Sequence, residues 1–128
     1  MRALDSSFVI DLLRSVPVAV SKAAEFDGTG EIIAIPSPCV AEVVRGAQLS
    51  GRREARRTEE FLGQLEVLPL DAPAAHLSGL IAAECGERGR EVPLLDCLIA
   101  GIVRVHRATL VTRDADFSCV PGLVVETY

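Results

Sequence analysis

The sequence predicts an α/β protein in which helices cover both faces of a mostly parallel sheet. Short segments rich in Val, Ile and Leu alternate with longer segments whose apolar residues have helical spacing. Apolar residues make up 49% and charged residues 24% of the chain, which is the balance of an ordinary globular protein. The 128 residues fit a single domain spanning positions 1–128. Because aromatic residues make up only 4%, the core is expected to be mainly aliphatic.

Five segments have the composition of short strands, and helical segments separate them. The first strand begins at Arg2 and ends at Asp5. The other four predicted strands are residues 31–35, 66–70, 109–112 and 123–126. Strands that are separated by helices pair in parallel, so this order predicts a mostly parallel sheet.

Six helices are predicted from capping signals and apolar periodicity. Ser37 followed by Pro38 has the form of a cap with proline at the first helical position. The helices are expected to begin near residues 6, 18, 37, 52, 71 and 93. The second is expected to end at residue 27 and the fourth at residue 65, and Gly46 is a point at which the third could weaken.

Acidic residues follow the predicted strands at the edge of the sheet where parallel α/β folds bind ligands. Asp5 follows the first strand, and Asp114 and Asp116 follow the fourth. Glu42 lies early in the helix after the second strand, and Asp96 lies early in an otherwise apolar helix. We therefore expect these carboxylates to converge.

Each acid also has a purely structural interpretation. Asp5 could cap a helix, Asp114 could begin an Asx turn, and Asp96 could offset a helix dipole. Glu42 could lie on a surface stripe, although burial without a partner would cost several kcal/mol. Taken together, converging carboxylates repel one another unless a cation lies among them. Mg²⁺ prefers such oxygen ligands and would serve phosphodiester hydrolysis by polarising the phosphoryl oxygen and activating water.

Four segments, in this order, resemble the signature segments of the PIN domain, and more narrowly the VapC-type toxins of prokaryotic toxin–antitoxin pairs. They are LDSSFVI at 4–10, SPCVAEV at 37–43, LDCLIA at 95–100 and LVTRDADF at 110–117. The resemblance covers essentially the whole chain. It implies a five-stranded parallel sheet, a homodimer, an antitoxin partner and endoribonuclease activity that depends on Mg²⁺ or Mn²⁺.

The resemblance also implies a role for individual residues. The site acids that it assigns are Asp5, Glu42, Asp96, Asp114 and Asp116. Of these, Asp5, Asp96 and Asp114 are expected to hold the metal ion. Ser7 or Thr112 would donate a hydrogen bond to a carboxylate or to a metal-bound water. Family members often have Asn where Asp114 stands, so which of Asp114 and Asp116 lies nearer the metal is left open.

The net charge of −5 is by itself unfavourable for nucleic-acid binding, but the chain also has a local basic segment. The five proposed site acids alone supply five of the negative charges. The arginines that could contact RNA phosphates are Arg45, Arg52, Arg53 and Arg56, together with Arg113 inside a site segment. The alternative for the helical arginines is a solvated face paired with Glu59 and Glu60.

Other chemistries are disfavoured. Lys22 is the only lysine and has no Gly-rich loop beside it, so a phosphate-binding P-loop is not expected. The four cysteines lack zinc or dithiol spacing and are expected to be reduced. His76 and His106 lie outside the site segments, so an imidazole base is not expected. The open alternative to catalysis is a PIN-like module that only binds RNA or a protein.

The remaining expectations concern location and assembly. No apolar run approaches the roughly 18 residues of a membrane span, and Asp5 and Asp11 disfavour a signal peptide. A cytoplasmic protein without membrane contact is therefore expected. The apolar pairs at 12–13 and 94–95 are expected in the core, with a dimer interface as the alternative use.

Overall fold

The computed structural model describes residues 1–128 and contains one five-stranded sheet with strand order β3-β2-β1-β4-β5. The strands are β1 (Arg2–Leu4), β2 (Ile33–Pro36), β3 (Glu66–Leu68), β4 (Thr109–Val111) and β5 (Val124–Glu126). All four neighbouring pairs are parallel, which confirms the predicted sheet.

Six helices and one 3₁₀ turn connect the strands. They are α1 (Ser6–Leu13), α2 (Pro17–Phe26), α3 (Ser37–Ser50), α4 (Arg52–Leu62), α5 (Ala72–Glu87), α6 (Leu94–Val105) and the 3₁₀ helix Ala115–Cys119. The Asp71 carboxylate accepts a hydrogen bond from the Ala74 N–H and so caps α5. Gly46 does not end α3, which continues to Ser50. None of the helices combines the length and apolar character that crossing a membrane requires.

The strand order reverses between β1 and β4, which makes the ends of these two strands the natural ligand crevice of the sheet. In the register, Leu4 lies beside Val111. Asp5 follows Leu4 and Thr112 follows Val111, so both polar residues emerge side by side at this crevice. The topology therefore brings together two site segments that lie far apart in the sequence.

The core is mainly aliphatic, as composition predicts, but two phenylalanines anchor it beside the crevice. Phe8 and Phe117 are the largest fully buried side chains. Each lies within three residues of an acid that sequence analysis assigned to the site. All four cysteines are free. The expected core burial of Leu94 and Leu95 is wrong, since these side chains are 62% and 41% exposed at the start of α6.

Helices α5 and α6 are in close contact at Gly101. A Cβ atom at this position would overlap the Ser78 hydroxyl and would lie 2.7 Å from the Ala74 carbonyl oxygen. The Ser78 hydroxyl already donates to that carbonyl at 2.7 Å, so these α5 atoms cannot move aside without breaking this hydrogen bond. Gly101 therefore sets the separation of the two helices.

We predict that Gly101→Ala lowers the free energy of unfolding by about 1–3 kcal/mol, because the added methyl group overpacks this contact. Urea denaturation monitored by circular dichroism measures the change. The matched control is Gly79→Ala on α5, where a Cβ atom would meet nothing within 4 Å. This control should be neutral or stabilise by about 0.5–1 kcal/mol, since alanine favours helix. Equal stability of the two variants would contradict the close contact.

Candidate active site

Asp5 lies where the chain leaves β1 and enters α1. Its backbone N–H donates to the Val111 carbonyl at 3.1 Å, which ties this point of the chain to β4. The side chain is 4% exposed and caps no N–H group of α1. The capping interpretation is therefore not observed, and the carboxylate is turned to other partners.

Two hydroxyl groups and one thiol hold the Asp5 carboxylate. Ser7 Oγ donates to Oδ2 at 2.8 Å and Thr112 Oγ1 donates to the same oxygen at 2.7 Å. The Cys39 thiol donates weakly to Oδ1 at 3.7 Å, and burial, followed by the Asp5 charge, raises the pKa of this thiol. Because its only protein donor is a thiol, Oδ1 is the oxygen of Asp5 that remains for a cation.

Glu42 reaches the same crevice from α3. Its Oε1 accepts a hydrogen bond from Ser6 Oγ at 3.1 Å. Burial raises the pKa of Glu42, and the nearby charge of Asp5 adds to the effect, whereas Ser6 and Arg45 oppose it. One ligand atom from each of Asp5, Cys39 and Glu42 lies within 4.8 Å of the others.

Asp96, Asp114 and Asp116 form a second group, whose ligand atoms also lie within 4.8 Å of one another. Asp96 lies in the first turn of α6. Asp114 Oδ1 accepts a hydrogen bond from the Asp116 N–H at 2.9 Å and so begins the 3₁₀ helix. The Asx-turn interpretation of Asp114 is thus observed, and it occupies only one of the two carboxylate oxygens.

The two groups act on each other electrostatically. Burial is the main cause that raises the pKa of Asp96 to about 6, followed by the charges of Asp114, Asp5, Asp116 and Glu42. None of these five carboxylates forms an ion pair with a basic side chain. The structure therefore brings together all five acids named from the sequence. Their oxygen donors and uncompensated charge fit a hard divalent cation such as Mg²⁺ or Mn²⁺.

The four helical arginines have no carboxylate partners. Arg45, Arg52, Arg53 and Arg56 are exposed and form no ion pair, so the alternative pairing with glutamates is not observed. Arg57 differs, because it pairs with Glu54 at 3.3 Å and donates to the Leu13 carbonyl at 3.0 Å. Among the four free arginines, Arg45 lies close enough to Glu42 to act on its pKa.

Arg113 has a protein partner that the sequence analysis did not find. Its Nε donates to Asp11 Oδ2 at 2.6 Å and its Nη2 to Oδ1 at 3.4 Å. The Tyr128 hydroxyl donates to the same Oδ2 at 2.7 Å. The Arg113 hydrogen bond is the main cause that lowers the pKa of Asp11. The available signal was an acid inside the apolar stretch of α1, which is the signal that identified Glu42.

The lysine and the two histidines form no hydrogen bond or ion pair with the five acids. Lys22 pairs with Glu126 at 2.6 Å and with Glu25 at 2.9 Å. His76 is exposed on α5, and His106 follows the end of α6 with its Nε2 buried and unpartnered.

Comparisons with known proteins agree with this fold. A family model described as the PIN domain matches residues 2–123. The tRNA(fMet)-specific endonuclease VapC of Shigella flexneri is 31% identical over 128 residues, covering 98% of this chain and 96% of that protein. VapBC2 from Rickettsia felis, solved with a promoter DNA fragment, superposes with a TM-score of 0.88 at 25% identity, covering 99% and 98% of the two chains. DNA-bound VapBC from Salmonella typhimurium gives 0.86 at 28% identity, covering 98% and 96%.

We predict that Asp96→Asn stabilises the metal-free protein at pH 7.5 and has little effect near pH 4. Because the pKa of Asp96 rises from 3.8 to about 6 on folding, the unfolded state loses this proton first as pH increases. The ionised carboxyl therefore lowers stability progressively between pH 3.8 and 6, and the full loss is present above pH 6. The expected gain is about 1–2 kcal/mol, less than the full pKa shift implies, since water screens a half-buried group.

Urea denaturation in EDTA at pH 4 and pH 7.5 measures this difference. Asp27→Asn, at an exposed position after α2, is the control for removing a charge outside the cluster. A loss of stability in Asp96→Asn at pH 7.5 would show that the ionised carboxylate is stabilised rather than repelled by its surroundings.

Proposed function

This chain belongs to the PIN-domain family, and we propose that it is a metal-dependent endoribonuclease that acts as the toxin of a toxin–antitoxin pair. The observation that carries the proposal is the convergence of five carboxylates without cationic partners at the strand-order reversal. The VapC homologue from Shigella flexneri, which aligns over nearly the whole chain, is named as an endonuclease, and this supports the reaction class. The proposed substrate is cytoplasmic RNA, and tRNA is the first class to test.

Asp5, Asp96 and Asp114 would hold the ion, and Glu42 and Asp116 would complete the acidic site. A bound divalent cation would polarise the phosphoryl oxygen and lower the pKa of water. The protein itself contributes hydrogen bonds that orient the metal-binding carboxylates. Asp5 is fixed through Oδ2, and the Asp114 N–H donates to Thr112 Oγ1 at 3.0 Å. Thr112 thus connects two of the proposed ligands.

The free arginines supply the proposed contacts to RNA. Arg45, Arg52, Arg53 and Arg56 lie exposed on α3 and α4 with unsatisfied guanidinium groups, which suit phosphate oxygens. Arg113 lies between two site residues and is the fifth proposed contact. Binding through several phosphates should weaken steeply as salt increases.

The proposal includes a cognate antitoxin and a homodimer. Its support for the antitoxin is that the solved relatives from Rickettsia felis and Salmonella typhimurium are VapBC complexes. Its support for the homodimer is the exposed apolar pair Leu94 and Leu95, which the monomer leaves in contact with water.

Purified protein should cleave a tRNA mixture in the presence of Mg²⁺ or Mn²⁺, and the cleavage should stop when EDTA is added. We predict that Asp5→Asn and Asp96→Asn each reduce the cleavage rate by at least ~100-fold, since each removes a ligand charge. Gel analysis of end-labelled RNA measures the rate. Asp27→Asn, a change of the same kind outside the site, should cleave like the wild type.

Cleavage by the Asp5 and Asp96 variants at the wild-type rate would refute this site. Thermal shifts with Mn²⁺ give a second readout, because an ion bound by these carboxylates stabilises the folded state. A wild-type protein that neither cleaves RNA nor gains stability with Mn²⁺ would be a non-catalytic binding module.

Thr112 allows a separate test of ligand positioning. We predict that Thr112→Val lowers kcat/KM by about 10–100-fold, because valine keeps the shape but loses the hydroxyl that orients Asp5 and Asp114. Thr112→Ser keeps the hydroxyl and should retain most of the activity. Steady-state kinetics on a defined RNA measure both, and equal losses in the two variants would assign the effect to packing.

A further inference from the structure

Arg113 is held along only one edge. Its Nε and Nη2 atoms face Asp11, whereas Nη1 has no acceptor in the protein. The Asp11 side chain is 11% exposed and the Arg113 side chain is 59% exposed. A buried carboxylate thus binds one edge of the guanidinium, and the other edge faces solvent. In the sequence, Arg113 stands between Thr112 and Asp114.

Tyr128 also holds Asp11 in place. Its hydroxyl donates to the oxygen that also accepts from Arg113 Nε. Its ring packs edge-on against Phe8, with centroids 4.8 Å apart and an interplanar angle of 77°. Phe8 is fully buried, so the phenol has a rigid support, and the carboxylate of Asp11 cannot turn without breaking a charge-assisted hydrogen bond.

We infer that Asp11 and Tyr128 are positioning residues that hold Arg113 with its free edge available to an RNA phosphate beside the acidic site. The nature of the ligand rests on the proposed function. An arginine that is already fixed loses less side-chain entropy when it binds phosphate. The tether also keeps the guanidinium away from Asp114 and Asp116, where it would compete with a cation for the carboxylates.

Three substitutions test this arrangement. Arg113→Ala should weaken RNA binding by about tenfold or more, since it removes the proposed contact. Tyr128→Phe keeps the ring on Phe8 and removes only the hydroxyl, and it should weaken binding by about 3–10-fold. Asp11→Asn keeps the shape but loses the charge and should fall between these two.

Binding is measured by fluorescence anisotropy with a labelled RNA oligonucleotide in EDTA, where no cleavage occurs. The decisive comparison is Tyr128→Phe in the Arg113→Ala background, where it should cause no further loss. A hydroxyl with only a structural role would give the same loss in both backgrounds. Arg88→Ala is the control, because Arg88 is exposed and pairs with Glu84 on α5.

Kinetics add a readout that a general loss of folding would not produce. In Mg²⁺ or Mn²⁺, Tyr128→Phe should raise KM while kcat stays within about twofold of the wild type. Wild-type protein that binds RNA through Arg113 but does not cleave it would refute the proposed function and support this inference. Wild-type binding by Arg113→Ala, a Tyr128→Phe loss that persists without Arg113, or no RNA binding at all would overturn it.

Discussion

The hydrogen bond from Thr112 Oγ1 to Asp5 Oδ2 is the interaction on which the site depends. It joins the residues that follow two neighbouring parallel strands, although these residues lie 107 positions apart in the chain. Thr112 is fully buried and Asp5 nearly so, so water does not compete for the bond. The same hydroxyl accepts the Asp114 N–H, which extends the arrangement to the acidic loop after β4. The Thr112 side chain thus fixes Asp5 and Asp114 relative to the two strands that they follow.

The acidic cluster opposes folding, and the structure surrounds it with rigid apolar support. Asp96 has a raised pKa because burial and four neighbouring carboxylates disfavour its charge. Phe8 and Phe117, both buried, follow closely on site residues and anchor the segments that carry them. The acids are therefore held together by packing outside the cluster. This is the arrangement expected of a site whose charge is balanced by a ligand rather than by the protein.

Local signals in the sequence were enough to predict that the carboxylates converge. Acids directly after apolar strands predicted this, because the strand ends define the crevice wherever the sheet is parallel. Partners that lie far apart in the sequence were not predicted. Asp11 lies 102 residues from Arg113 and 117 from Tyr128, so its place in an apolar stretch could suggest a buried partner but could not identify one. The exposure of Leu94 and Leu95 was also missed, since apolar character alone does not distinguish a core from an uncovered surface.

The position of Asp96 depends on how closely α5 and α6 pack at Gly101. Asp96 lies in the first turn of α6, five positions before Gly101. Removing the Ser78 hydroxyl would not make room for a side chain at position 101, because the Ala74 carbonyl of the α5 backbone also blocks it. Any larger residue there must push the helices apart, and Asp96 would move with α6. A substitution at this buried, uncharged position would therefore change the spacing of the carboxylates at the end of the helix.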